Sequence, residues 1–570
     1  MFRGFQAAAA LQQGTGDLSP EAIEVKGFST VTSRTSGTIA AELDGNFSDI
    51  ARAGSLHEFL LDLHNQLGDI AGFWWGQTYV VSIASPELFK AHAHVFDRPG
   101  TPFMQKVQIG YNTNNPVCPK TDERLIPPRR DTYILLNEFF HVSGELFKFV
   151  EALFGSYSLQ YANGPEGWRR RQEYSRPFSH ERLKKYLPAF QEVNRFSQEK
   201  ANSWKRDFSL MFSGMESQHI YVDTGESPVE AEVINILAEN VEKKWCKGES
   251  DPIPVGEDMA SFSIRSTLST LMGDSFLDEK LVQSVIKAYK TVWIELERRL
   301  TDSVPPDEND SREKLFSEEW FRLFSSVLAL QHLHTTVKEV VEHRQENKLL
   351  DQQLLIDVIL QYTTDEDMLI SDIILFMVAS FHTSANLLTW AMYFLATHPD
   401  VQSKLHSEIV QVLGQKGAVT DSNFGQLRYL QQVLQETLRC AVVSPWGARV
   451  QDVDSVLGGH KVPKNTPVIH ALGVVLQNEK LWPLPKRFDP DRFSTENSKD
   501  QPTYAFSPFG FAGKRTCPGY KFANRGSTVL IATLIKKFEV SMWSDQVVKP
   551  VFGLVTRPHE EILLKVSRRK

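Results

Sequence analysis

Cys517 lies in the stretch of this 570-residue chain best suited to chemistry, PFGFAGKRTCPG from Pro508 to Gly519. Aromatic and glycine-rich residues lead to Gly513, Arg515, Cys517 and Gly519. An amphipathic helical pattern follows, with Phe522, Val529, Leu530 and Leu534 on its apolar face. Pro518 suits a first helical position, which sets Cys517 at a helix N-terminus. Backbone N–H groups left unpaired there favour an anion and lower a thiol pKa, as a metal-ligating sulfur requires. The glycines let the backbone pass close to a flat group, and Arg515 offers charge-assisted bonds to a carboxylate such as a propionate. The other cysteines, Cys118, Cys246 and Cys440, form no C-x-x-C pair and read as small buried apolar residues.

Further polar residues stand in patterns that ask for partners. QETLRC carries Glu436 and Arg439 at i, i+3, on one face of a helix. SDIILFMVASFHTSANLLTW reads as a long buried helix bearing Ser380, His382 and Thr383 in an apolar setting. GWRRRQ, from Gly167 to Gln172, sets Trp168 beside Arg169, Arg170 and Arg171; a solvated basic face is its plain alternative.

The elements that must position these groups are mostly helices. Leu56, Phe59, Leu60 and Leu63 give a helical period, Phe73–Gly76 and Tyr79–Val81 read as a strand pair, and Pro86 opens a short helix. From about Val255 to Leu438 the chain is helical by period, broken by a loop from Ser303 to Ser311. After Pro445 short β-like runs alternate with the turns Leu457–Gly459 and Pro463–Asn465. The organisation expected is a poorly ordered lead-in over 1–50 and a single domain over 51–570, with irregular insertions near 107–135 and 205–235.

Composition narrows the classes. Apolar residues make up 41% and charged residues 23%, as in soluble globular proteins. A net charge of −8 argues against nucleic-acid binding. Few, scattered cysteines point to a reducing compartment. The richest apolar run, Asp372–Phe381, is too short for a membrane span, and the alanine-rich first residues, Met1–Leu11, read as a leader without signal character.

The cysteine stretch resembles the haem-binding loop of the cytochrome P-450 superfamily, F-x-x-G-x-R-x-C-x-G, at Gly513, Arg515, Cys517 and Gly519. It departs where Gly510, flanked by Phe509 and Phe511, holds the place of the phenylalanine. DGNFSDIARAGSLHEFLLDLH and ALGVVLQNEKLWP carry a nearer resemblance, to family 20 of that superfamily. The resemblance implies a mainly α fold with a small β region, the cytochrome P-450 fold. Its implied cofactor is haem b, ligated by Cys517. Electrons would come from NADPH through a flavoprotein reductase, which Lys514, Lys521 and Arg525 would face. The reaction would insert one atom of O2 into a small apolar substrate. Glu436, Arg439 and Arg492 (in WPLPKRFDPDRF) match the family's buried charge triad. Thr383 matches its oxygen-activating threonine, with His382 where an acid is usual and Ser380 where glycine is usual. His382 then either carries protons or faces away and bonds a neighbour. Trp168 and one of the three following arginines, with Arg171 preferred, match the propionate-binding helix, and Arg449 matches a further propionate ligand. The implied location is the endoplasmic-reticulum membrane, with peripheral contact in place of an anchor helix. Two rival expectations are a haem-binding sensor or carrier that has lost oxygen activation, and a peroxide-rearranging enzyme.

Overall fold

The computed structural model describes residues 45–75, 78–95, 158–159, 162–178, 230–247, 251–273, 279–301, 318–346, 354–450, 453–510 and 516–569. The expected insertion at 107–135, the loop at 303–311, and Cys118, Gly513, Lys514 and Arg515 lie outside these residues, as do 1–44 of the lead-in and 205–229 of the second insertion.

The chain enters through α1 (Phe47–Ala53) and α2 (Leu56–Leu67), a hairpin of β1 (Ile70–Trp75) and β2 (Thr78–Ile83), and α3 (Pro86–His92). Local chemistry sets these limits. The Ser55 hydroxyl accepts the Glu58 backbone N–H at the start of α2, and the Ser85 hydroxyl accepts that of Leu88 at the start of α3, with Pro86 in its first turn. Helix α1 begins inside the expected lead-in, because Asn46 ties it down: its side-chain carbonyl accepts the Trp74 N–H at 2.8 Å.

Next come α4 (Gly164–Tyr174), α5 (Glu230–Lys247), the short β3 (Ile253–Pro254), α6 (Val255–Met272), α7 (Glu279–Thr301), α8 (Glu318–Glu346) and α9 (Leu355–Tyr362). Residues 230–235, expected to be irregular, are already helical in α5, where Ile234 is fully buried. Helices α10 (Glu366–Thr397), α11 (Pro399–Leu413) and α12 (Arg428–Ala441) follow, then β4 (Gly447–Arg449), β5 (Ser455–Leu457), β6 (His460–Val462), β7 (Val468–His470) and α13 (Leu472–Leu476). The chain ends with α14 (Tyr520–Lys537), β8 (Phe538–Met542), β9 (Pro550–Phe552), β10 (Thr556–Pro558) and β11 (Leu563–Arg568).

Among the described residues the strands form four sheets. The largest has the order β1-β2-β7-β4, with β2 and β7 parallel and the other pairs antiparallel. β5 and β6 form a hairpin whose turn, Gly458–Gly459, has φ of 54° and 84°. Two successive left-handed residues are what a tight hairpin of this twist needs, and glycine adopts them without strain.

Two apolar clusters hold the layers. One, built on α2 and the four-stranded sheet, includes Phe59, Phe73 and Val468; the larger joins the helices. Helix α10 runs through the larger cluster and packs against α6, α8, α9, α11, α12 and α14. At 32 residues it is about 48 Å long. By length and composition alone it meets the requirement of a membrane span, with mean hydropathy 1.6 over 18 residues. The run Asp372–Phe381 is thus part of a longer apolar helix. Much of its apolar surface is covered by protein: Ile373, Ile374, Met377, Leu388 and Ala391 are all buried.

One carboxylate interrupts that apolar surface. Asp372 is fully buried, and Arg170 of α4 donates to its Oδ2 from Nε (2.9 Å) and Nη2 (2.5 Å). The Leu159 N–H donates to Oδ1 at 2.6 Å. A charge pair without water is tolerable only when its bonds are this complete. Asp372→Ala should therefore lower the unfolding free energy by about 3–5 kcal/mol, read from denaturant midpoints. The double change Arg170→Met with Asp372→Leu should recover more than half of that loss. A single change costing under about 1 kcal/mol, the range of exposed pairs, would contradict this role.

Buried histidines give a second test. Burial lowers the pKa of His57 and of His92 to about 4, although the nearby Gln477 side chain works the other way for His57. The unfolded chain then binds protons near pH 6.5 while the folded one does not. Stability contributed above pH 6.5 should fall away as pH drops towards 4. His57→Leu should remove up to about one proton from the uptake on unfolding at pH 5; an unchanged uptake would contradict the assignment.

Candidate functional site

The Cys517 loop is fastened at both sides. Cys517 carries no disulfide and is half-buried. Its N–H donates to the Phe509 carbonyl at 2.9 Å. Gly510, the departure from the expected motif, has φ of 79°, and its N–H donates to Ser507 O at 3.0 Å. A phenylalanine would be strained in that left-handed turn. The neighbouring Phe509 packs on the helical core instead, 6.2 Å from the Tyr520 ring.

Pro518 is not the first residue of the following helix. Pro518 and Gly519 form a turn, Gly519 caps α14, and its carbonyl accepts the Ala523 N–H at 2.9 Å. Cys517 thus stands three residues ahead of Tyr520, near the positive end of α14 and outside its first turn. Among the described residues, a Cβ built on Gly519 would meet no atom within 4 Å.

Helix α4 distributes its three arginines to three surroundings, as 100° steps require. Arg169 is exposed, paired with Glu166 at 3.3 Å and bonded to the Tyr362 hydroxyl. Arg170 turns inward to Asp372. Arg171 donates from Nη2 to the Thr516 carbonyl at 2.6 Å, one residue before Cys517. Trp168, three residues before Arg171 and so near it on the helix surface, is 40% exposed. Arg449 ends β4. It is buried, donates to its own neighbour Ala448 O at 2.8 Å, and lends positive charge to the buried pair His92–His470, whose rings share a 2.8 Å hydrogen bond.

The acidic and basic residues behind the loop form one cluster. Arg439 donates to Glu436 from Nε (2.7 Å) and Nη2 (2.8 Å), and both side chains are fully buried. Arg492 Nε lies 3.3 Å from Glu436 Oε1, which also accepts the Asp489 N–H at 2.9 Å. Arg439 reaches the carbonyls of Leu476 and Arg487 and stacks over Trp482. The cluster ties α12 to the 3₁₀ turn Pro490–Phe493 that precedes the cysteine loop. Cys440 sits against Glu436, and burial followed by that negative charge pushes its thiol up, far from thiolate chemistry.

On α10, Ala379 is exposed and Ser380, Thr383 and Ser384 are half-buried, although the helix is central. Thr383 Oγ1 donates to Ala379 O at 2.9 Å. Ser380 bonds back to Phe376 O and Met377 O, so its hydroxyl serves its own helix. His382 points to other company. Its ring lies 4.2 Å from that of Trp293 and 5.7 Å from that of Tyr289, both on α7. Burial, with the Arg557 charge adding to it, lowers its pKa to about 3. It is therefore neutral at physiological pH and unsuited to the proton-carrying role that its sequence position suggested.

Arg525 also departs from expectation. It is mostly buried in an ion pair with Asp421 and lies over Phe424, so it is withdrawn from any docking face. Lys521 remains beside Tyr520 at the start of α14. Sequence reasoning missed Asp372 and the Arg171–Thr516 bond. A lone carboxylate in an apolar run was the available signal for the first, since such a group needs a buried cation.

The Cytochrome P-450 family profile matches residues 132–566. Cytochrome P-450 20A1 of Mus musculus is 31% identical over 93% of this chain and 92% of its own length. The Homo sapiens protein of the same name is 29% identical over the same shares. Cytochrome P-450 3A13 of Mus musculus is 32% identical over 41% of this chain and 49% of its own length. With the mainly helical fold, its small sheets and the fastened cysteine loop in place, the chain belongs to the cytochrome P-450 family of haem-thiolate monooxygenases.

Proposed function

We propose that this chain inserts one atom of O2 into an apolar organic substrate, with electrons passed from NADPH through a flavoprotein reductase. The observation that carries the reading is the Cys517 loop: a half-buried thiol outside any disulfide, fastened through Phe509 and approached by Arg171. These residues fit haem b. The sulfur would supply the metal ligand, Gly519, with no side chain, would let a flat ring approach, and Arg171 and Trp168 would hold its propionates. Arg515, Gly513 and Arg449 complete the expected set. Bound haem supplies thiolate-assisted O–O cleavage. The protein supplies placement, proton control and exclusion of water.

Thr383 is the proton-handling group of this reading. Its half-buried hydroxyl donates to Ala379 O at 2.9 Å and would pass a proton when that bond is exchanged. His382, neutral and packed on α7, takes no part in that exchange. The Glu436–Arg439–Arg492 cluster holds the proximal region. Lys521, with Lys514, offers a reduced docking face for the reductase. An endoplasmic-reticulum membrane location is the expectation that the family resemblance carries.

Reconstitution with a reductase tests the reading, with methyl dodecanoate as an apolar probe. Reductant consumption should be coupled to oxygenated product, and Thr383→Ala should divert it to hydrogen peroxide, lowering product per NADPH by about tenfold or more. Low-spin haem with no turnover would favour a sensor or carrier; product from a hydroperoxide without reductase would favour peroxide rearrangement. The ratio of product to NADPH should show no inflection between pH 5.5 and 8 that belongs to His382. A break near pH 6.5, abolished by His382→Gln, would contradict the lowered pKa.

A further inference from the structure

Three hydroxyls buried between helices have no hydrogen-bond partner among the described residues: those of Ser263 and Thr267 on α6 and of Ser527 on α14. Each residue is at most 2% exposed. Ser263 and Thr267 stand four residues apart, on one face of α6. Buried hydroxyls in folded proteins are nearly always bonded, either to protein or to ordered water. One left without a partner costs stability.

All three line a single, partly open recess where α6, α10 and α14 meet. It leaves about 10 Å³ for the centre of a water molecule, the room of roughly one. Helix α10 contributes the half-buried Ser384, while Leu388 and Phe522 form apolar wall that offers the hydroxyls nothing to bond. Ser266 also lines the recess, but its hydroxyl is turned to the Phe262 and Ser263 carbonyls of its own helix, at 2.9 and 3.1 Å. Gly526 borders the recess beside Ser527, and among the described residues a Cβ built on it would meet no atom within 4 Å. Glycine in the middle of a helix costs stability relative to alanine; here it keeps room next to the hydroxyls.

We propose that Ser263, Thr267 and Ser527 bind one ordered water molecule at this junction, with Ser384 as its neighbour on α10. A hydroxyl both donates and accepts, and a buried water makes about three hydrogen bonds, so one water can serve all three side chains. The site gives α6 and the helix that follows Cys517 a shared partner behind α10. It goes beyond the monooxygenase reading and does not depend on it.

A crystal structure of the haem-loaded full chain tests the site directly. A water oxygen should lie within about 3.2 Å of at least two of the three hydroxyls. A double-mutant cycle, read from denaturant unfolding of the same protein, gives the energetic test. Thr267→Val keeps the shape and removes one hydroxyl, and Ser527→Ala removes another. Each should lower the folding equilibrium constant about fivefold, because the water loses a partner. Since both act on one water, the double variant should lose about twelvefold or less, in place of the roughly twenty-five-fold expected of independent sites. A dry recess predicts the opposite sign, because deleting an unbonded buried hydroxyl raises stability. A recess without water density, a gain in stability in either single variant, or losses that multiply in full would each overturn the site. Circular dichroism identifies a misfolded Thr267→Val, in which case Ser263→Ala takes its place in the cycle.

Discussion

The charge pair between Arg170 and Asp372 decides where the rest of the site can stand. It joins α4 to the interior of α10, and both side chains are withdrawn from the surface. Because successive helical residues turn by 100°, fixing Arg170 inward also fixes its neighbours. Arg171 is brought to the backbone just before Cys517, and Arg169 is left at the surface. One buried contact thereby sets the distance between the helix that crosses the core and the loop that presents the sulfur. The Glu436 cluster performs the corresponding task on the other side, linking α12 to the chain that enters the loop. Pairs of this kind add little net stability over apolar packing, but a half-broken one is costly. Their use is to make one arrangement of these helices far better than its neighbours.

Elements with strong local signals were legible in the sequence. The β1–β2 hairpin, the period of α2, the Pro86 start of α3, the Gly458–Gly459 turn and the long α10 each follow from period or turn chemistry that a few residues determine. The pairing of Glu436 with Arg439 was legible for the same reason, since i, i+3 spacing places both on one face. What could not be read depends on contacts distant in sequence. The sequence position of Arg525 suggested a docking face, but Asp421 lies about a hundred residues away in the chain and claims its charge. The choice among Arg169, Arg170 and Arg171 needed the location of Asp372, two hundred residues downstream. Gly510 looked like a lost phenylalanine, yet it answers a backbone requirement that no residue pattern announces: a left-handed turn that lets Phe509 accept the Cys517 N–H.

His382 shows how a motif can mislead by adjacency. It occupies the position of an acid beside Thr383, and histidine is the usual substitute where protons must move near neutrality. Titration, however, depends on surroundings. Packed against Trp293 and Tyr289 and near a guanidinium, the imidazole is kept neutral far below physiological pH. Thr383, one residue on, is half-buried on the same helix. Two consecutive residues thus have different neighbours, the His382 ring against α7 and the Thr383 hydroxyl bonded to its own helix.

The whole account turns on which sulfur binds the iron. The most direct measurement is the absorption spectrum of the reduced, carbon-monoxide-bound protein, compared with those of Cys517→Ser and Cys246→Ser. A strongly red-shifted band present in the unaltered protein and in Cys246→Ser, and absent from Cys517→Ser, is the predicted result. Persistence of that band in Cys517→Ser would contradict the assignment of the ligand and the site built around it.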